Sequence, residues 1–408
     1  MSLLRMGASL QAGAGAMPPP ARACRLTRRA ARITSCIDML ARPLLIGSEI
    51  YRRSTYGSRH PLAIPRVSTA LDLIWALGAV TPERYIDSPR ASIDQLARFH
   101  DRDYLAALEQ AERDRTQLSE ADRRRYQIGI NGNPIFAEIL SRPSTAAGGT
   151  LKGLALLHEA GGGIVHNVGG GTHHGRRDKA SGFCYLNDPV LGILDLLDRG
   201  YRRILYVDLD AHHGDGVQDA LSHDPRVLIV SVHESGRWPY SGTLGDRGGG
   251  QARNIPVPPG FNDDEMDFVL EEALLPLADR FEPEILILQL GADALAEDPL
   301  SKMELSNGAL WRAVAALKRI APKVLAMGGG GYNPWSVARA WAGNWLVLND
   351  LPIPERLPFA AETVLRALHW DHSKGREPPE HWFTTLADTP RPGPIRAAVR
   401  LAVADVLR

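Results

Sequence analysis

The stretch Arg203–Gly216 reads RILYVDLDAHHGDG. Residues 203–207 are a short apolar run rich in β-branched and aromatic types, which predicts a buried strand. Side chains two apart on a strand share a face, so extended geometry carried past Val207 projects Asp208, Asp210 and His212 together. Buried charge is costly unless it is paired or bound to a metal. Two carboxylates and an imidazole are a plausible zinc ligand set. An Asp-x-His at a strand end is also a common hydrogen-bonded structural pair, so this stretch alone leaves both readings open.

Composition bounds the class. The chain has 408 residues, 44% of them hydrophobic, enough for a large α/β domain with a sizeable core. Lys plus Arg number 47 and Asp plus Glu number 47, so no global charge steers the chain to nucleic acid or a membrane surface. Three cysteines (Cys24, Cys36 and Cys184) make no disulfide framework, which fits a reducing compartment. No apolar run approaches the ~18 residues of a spanning helix. The expectation is a cytoplasmic protein without a membrane partner. Residues 1–43 differ from the rest, with seven arginines, Asp38 as the single acid and a Pro18–Pro20 run. An Arg-rich, acid-poor start can be an organellar transit peptide. A disordered extension, or sequence upstream of a start at Met17 or Met39, is the simpler expectation.

From Pro43 the pattern becomes regular. Strands are predicted at 43–47, 163–168, 203–208, 226–232, 285–290 and 323–327. Helices are predicted at 69–77, 93–109, 146–159, 189–197, 216–221, 264–278, 308–320 and 335–348. Apolar strands alternating with helices predict an α/β fold, a mostly parallel sheet with helices on both faces. No repeat or linker interrupts it, so one domain is expected over residues 44–408.

In such sheets ligands bind beyond the carboxyl ends of the strands, and unusual residues gather there. The strand at 163–168 leads to His173 and His174, and the next to Asp208, Asp210, His212, His213 and Asp215. The strand at 226–232 ends in Ser231 and His233. The last two lead to Asp293 and to Tyr332. Asp210, His212 and Asp293 supply three N/O ligands and leave a fourth zinc position open, as catalytic sites do. His173 and His174 can serve as general base and acid, with Asp208 and Asp215 fixing their tautomers. Tyr332 can donate to an oxyanion. The class implied is metal-assisted hydrolysis of an amide or ester.

The blocks GGGTHHGRRDKASGFCYLND, YVDLDAHHGDG, VSVHESG, LQLGADALAEDPL and GGGGY resemble, in this order, the signature motifs of zinc-dependent histone deacetylases. The bacterial acetoin-utilisation deacetylases look the most similar, and the resemblance runs from about Ile46 to Leu348. It implies an arginase-like fold with Asp210, His212 and Asp293 as zinc ligands, Fe2+ being the alternative metal. It also implies His174 as general base and acid, His173 as its electrostatic partner, and Asp208 and Asp215 as the carboxylates behind them. Tyr332 would polarise the acetyl carbonyl. A structural K+ would sit at Asp208, Asp210, His212 and Ser231. Gly182, Phe183, Tyr240 and Leu300 would line the channel for an acetyl-lysine stem.

Two positions depart from the family pattern. Gly132, in the stretch Asn131–Pro134, stands where a rim acid usually grips the substrate backbone. Tyr240 replaces the usual phenylalanine of the second wall. Cys184, His213 and His233 are expected to be packed or hydrogen-bonded rather than reactive, and Arg176, Arg177 and Lys179 to be solvated or to steer an acidic substrate. The leading expectation is deacetylation of N-acetyl-lysine in proteins. Deacetylation of small N-acetyl amines such as acetylpolyamines is the second, and an inactive acetyl-lysine binding module the third. The last requires loss of Tyr332 or of a metal ligand, and none is lost.

Overall fold

The computed structural model describes residues 42–57 and 60–408. The expectations for residues 1–41, Cys24 and Cys36 among them, lie outside the described residues. Eight described strands form the sheet: β1 (Leu44–Gly47), β2 (Tyr85–Asp87), β3 (Gly163–Asn167), β4 (Ile204–Asp208), β5 (Val227–Glu234), β6 (Ala252–Val257), β7 (Ile285–Gln289) and β8 (Lys323–Met327). Their order is β2-β1-β3-β8-β7-β4-β5-β6, and every neighbouring pair is parallel. The α/β class expected from the sequence is present, and the sheet is parallel throughout.

The alternation along β4 explains the layering. Leu205 and Val207 enter one core with helices Arg66–Ala76, Asn307–Leu317 and Pro334–Leu348, while Ile204 and Tyr206 enter another with helices Ser141–Ala160, Asp188–Asp198 and Asp215–Leu221. A strand apolar on both faces needs a helical layer on each side, and crossover helices between parallel strands supply it.

The sequence reading missed both edge strands. β2 is three residues long and partly exposed. β6 contains Arg253, Asn254 and Pro256, which lower β propensity but are tolerated where only one neighbour must be paired. The expected helix over 93–109 is two, Ile93–Leu96 and Arg102–Arg113. Between them the Asp101 amide donates to the Arg177 carbonyl, and the His100 ring sits 3.0 Å from both the Arg176 carbonyl and the Asn187 amide. Those long-range bonds redirect the chain. The helix expected at 264–278 runs over 263–281 with one π turn at Leu270–Leu274, next to Pro276, whose nitrogen cannot bond back.

Beyond residue 348 the chain returns to the sheet. Helix Ala397–Val406 packs on β6, and its Asp405 accepts from the Gly245 amide (3.1 Å) and from Arg247 (2.7 Å) in the loop joining β5 to β6. No helix among the described residues is long and apolar enough to cross a membrane.

Candidate active site

The four central strands β3, β8, β7 and β4 deliver the chemistry at their carboxyl ends. Past β4 the chain stays extended enough for Asp208, Asp210 and His212 to converge, and the Asp210 amide donates back to Asp208 Oδ1 at 3.1 Å. Asp293, four residues beyond β7, meets them. His212 Nδ1 lies 2.9 Å from Asp293 Oδ2 and 3.3 Å from Asp210 Oδ1. The Ala211 amide holds the other oxygen of Asp293 at 2.9 Å, and the Gly330 amide holds Asp210 Oδ2 at 2.6 Å. One ligand atom from each of the three residues lies within 4.8 Å of the others, and all three residues are buried. Burial and the neighbouring Asp210 push the Asp293 carboxyl above the usual carboxylate range. That like-charge repulsion is what a bound divalent cation removes, and the donor set of two carboxylates and one imidazole fits zinc.

Two histidine–carboxylate pairs lie beside the triad. His173 Nδ1 is 2.7 Å from Asp208 Oδ2, and His174 Nδ1 is 2.7 Å from Asp215 Oδ1, with the imidazole rings 3.9 Å apart. The Asn187 amide group fixes the turn by donating to the His173 and Gly175 carbonyls at 3.1 and 2.9 Å. Burial opposes a charge on His173, but Asp208 and Asp210 outweigh it and hold its pKa at about 9. Burial and the adjacent His173 bring His174 down to about 4. Arg176, expected to be solvated or to steer substrate, pairs with Asp215 and Asp219. Burial and the Asp293 and Asp210 carboxylates raise the Tyr332 phenol well above its ordinary range, keeping it a proton donor.

Above these groups opens a cavity of about 390 Å³. Gly182, Phe183, Tyr240 and Leu300 all line it, with His174, His212 and Tyr332 at its base. Trp238, which the sequence reading did not single out, lies nearest the chemistry of the wall aromatics. Its ring meets His174 edge-on at 4.7 Å and His212 at 6.3 Å, whereas Tyr240 is 73% exposed at the mouth. The dipeptide RW before Pro239 carried an aromatic signal, but only the loop path shows which ring turns inward. Gly182 makes that approach possible: a Cβ there would stand 2.3 Å from the Trp238 ring, and its φ is +53°. Phe183 has φ +67°, and its amide donates to Asn133 Oδ1 at 2.9 Å.

At the rim, the Gly132 carbonyl lies 3.0 Å from His60 Nε2. A Cβ on Gly132 would stand 2.9 Å from Phe183, at φ +79°. The acid expected there by resemblance therefore has no room without displacing the channel wall. Ser231 sits opposite Asp208 in the β4–β5 register, with its Oγ 2.9 Å from His233 Nδ1. His213 and His233 are hydrogen-bonded to Ser241 Oγ and the Gly242 carbonyl, and Cys184 is buried.

Residues 60–348 match the model of the histone deacetylase domain. This chain belongs to the histone deacetylase family. It is 32% identical over 309 residues to histone deacetylase RPD3 of Saccharomyces cerevisiae, covering 74% of this chain and 71% of that one. Histone deacetylase HDAC1 of Drosophila melanogaster is also 32% identical over 309 residues, covering 74% of this chain and 59% of its own length. The chain spans about three fifths of the length of most of these curated relatives. A crystal structure of an HDAC homolog from Aquifex aeolicus superposes with a TM-score of 0.84 at 36% identity, over 90% of this chain and 99% of that one. An HDAC homolog complexed with SAHA matches equally well, with a TM-score of 0.84.

Proposed function

We propose that this protein is a zinc-dependent amidohydrolase that removes acetyl groups from N-acetyl-lysine side chains of proteins. One observation carries the reading: His174, His212 and Tyr332 meet at the base of an aromatic-walled cavity. Asp210, His212 and Asp293 would hold the metal, which supplies Lewis acidity toward an acyl oxygen and toward water. Phe183, Trp238 and Leu300 shield the methylene stem of the substrate. His174, neutral near pH 7, takes the proton from the attacking water and passes it to the leaving amine nitrogen as the C–N bond breaks. His173, charged and fixed by Asp208, stabilises the negative charge of the tetrahedral adduct. The Tyr332 hydroxyl donates to the former carbonyl oxygen. Asp208 and Ser231 on adjacent strands support a K+ site reaching Asp210 and His212.

The wall carries no carboxylate among the described residues, and its single long cationic side chain, Arg237, is paired with Glu234 at 2.7 Å. That lining supports a neutral acetyl-lysine stem over a polycation. The vacant acid position at Gly132 favours the second reading, a small N-acetyl amine with no backbone to grip. Hydrolysis of an acetyl-lysine peptide and of acetylputrescine, each with and without a chelator, separates them. Faster, chelator-sensitive cleavage of the peptide is expected. A faster reaction of acetylputrescine reverses the order of the two, and chelator-insensitive cleavage refutes the mechanism. Activity restored by Fe2+ in preference to Zn2+ would correct the metal.

A further inference from the structure

The loop that carries Tyr332 has little stiffness of its own. It is the run Gly328–Gly331, with φ of +149° at Gly329 and +134° at Gly331, values that glycine adopts and other residues avoid. Yet the proposed oxyanion donor has to be held to a fraction of an ångström, because a donor misplaced by ~1 Å forfeits about a hundredfold in rate. Something outside the loop must fix it.

Asp298 is placed to do so. It is 3% exposed and lies in the turn after β7, and among the described residues the nearby Lys374 and Arg391 pair with Glu297 instead of with its carboxyl group. Its Oδ2 accepts the Tyr332 amide at 2.7 Å, and its Oδ1 accepts the Leu300 amide at 2.8 Å. One buried carboxyl group thus ties the proposed oxyanion donor to a residue of the channel wall. On the far side of Tyr332, Asn333 caps helix Pro334–Leu348 by accepting the Trp335 and Ser336 amides at 3.1 and 3.3 Å. Tyr332 is held between a buried carboxyl acceptor and a helix start. Burial and the nearby Asp293 push the Asp298 carboxyl well above the usual carboxylate range, and a buried polar group of this kind is costly unless it is hydrogen-bonded, as it is here by the two amides.

We infer that Asp298 is a positioning residue that clamps Tyr332 and Leu300 together, so that oxyanion donation and channel width are set by one side chain. The kinetic part of this inference rests on the proposed deacetylation; the clamp itself does not. Asp298→Asn keeps the shape but turns one oxygen into a donor facing an N–H, so one of the two amides loses its partner.

The first measurement is amide hydrogen exchange on the unaltered full chain, where both the Tyr332 and Leu300 amides are expected to be slow despite the open cavity beside them. Fast exchange at either site overturns the clamp without any variant being needed. In Asp298→Asn, exchange at one or both amides should rise about tenfold or more while the β4 amides stay unchanged. The second measurement is a double-mutant cycle on acetyl-lysine peptide hydrolysis. Asp298→Asn should lower kcat about tenfold to a hundredfold in the native background and little further in Tyr332→Phe, because the group it positions is already gone. Equal losses in both backgrounds would mean a general structural role and overturn the kinetic part. If the unaltered protein hydrolyses no acetyl-amide, the proposed function falls, and the exchange data alone decide the clamp.

Discussion

His173–Asp208 and His174–Asp215 have the same 2.7 Å contact and stand side by side, yet they differ in what surrounds them. Asp208 is sealed at the end of β4, where the Tyr206 hydroxyl donates to it at 2.8 Å and its ion pair is with His173, with no Lys or Arg among the described residues beside it. Its negative charge is spent on His173, which also feels Asp210. Asp215 instead shares its charge with Arg176, and His174 faces its charged twin. Two dyads of the same contact geometry therefore have their imidazole pKa values pushed apart, His173 up and His174 down, as the proposed roles of cation and base require. His166 is the reference case. It is fully buried with no hydrogen-bond partner on either ring nitrogen among the described residues, and burial alone takes its pKa to about 3.

The largest effect that tests this division is on turnover. His174→Ala should lower kcat for acetyl-peptide hydrolysis by roughly 10³-fold, within the range for loss of a general base. His173→Ala should cost roughly tenfold to a hundredfold, since it removes charge and orientation but not the proton carrier. Steady-state kinetics on both variants, with metal content measured, decide between them; a larger loss at His173 reverses the assignment.

A second test uses His166. Its folded-state pKa is lowered, so the unfolded chain alone takes up a proton once pH falls below about 6.5. The stability this neutral imidazole confers is thus full above that value and drains away down to about pH 3. Between pH 7 and pH 5 the loss is about 2 kcal/mol. In His166→Phe that share of the acid sensitivity should vanish, leaving a shallower change in urea midpoint across the same range. An unaltered slope would mean the ring is solvated or charged in the native protein.

The smallest effect sharpens the comparison most directly. Arg176→Ala leaves Asp215 free to act on His174 alone. The His174 pKa should rise, and the acid limb of the kcat profile should move to higher pH. Movement the other way would show that Arg176 does not compete for that carboxylate.

How far the sequence revealed this site depends on the physics of each residue. Asp210 and His212 were legible because alternation along a strand end is a local rule, and Asp293 and Tyr332 because parallel strands deliver their carboxyl ends to one edge. The buried strands were legible for the same reason, through continuous apolar runs. β2 and β6 were not, since an edge strand is stabilised by one neighbour and needs no apolar signature. Trp238 and Asp298 were not either. Which of two aromatics turns inward, and which acid meets two distant amides, are set by loop paths that no periodicity records. The redirection at His100 is of the same kind.

The helix Ala397–Val406 lies well past residue 348, where the family match stops, but Asp405 holds the loop that bears Trp238 and Tyr240. A shortened fragment ending near residue 350 would bare the apolar side of β6 and release that anchorage. For anyone trimming, tagging or fusing this protein, the turn that bears Asp405 braces the channel's loop from some 165 residues away in sequence from its aromatics.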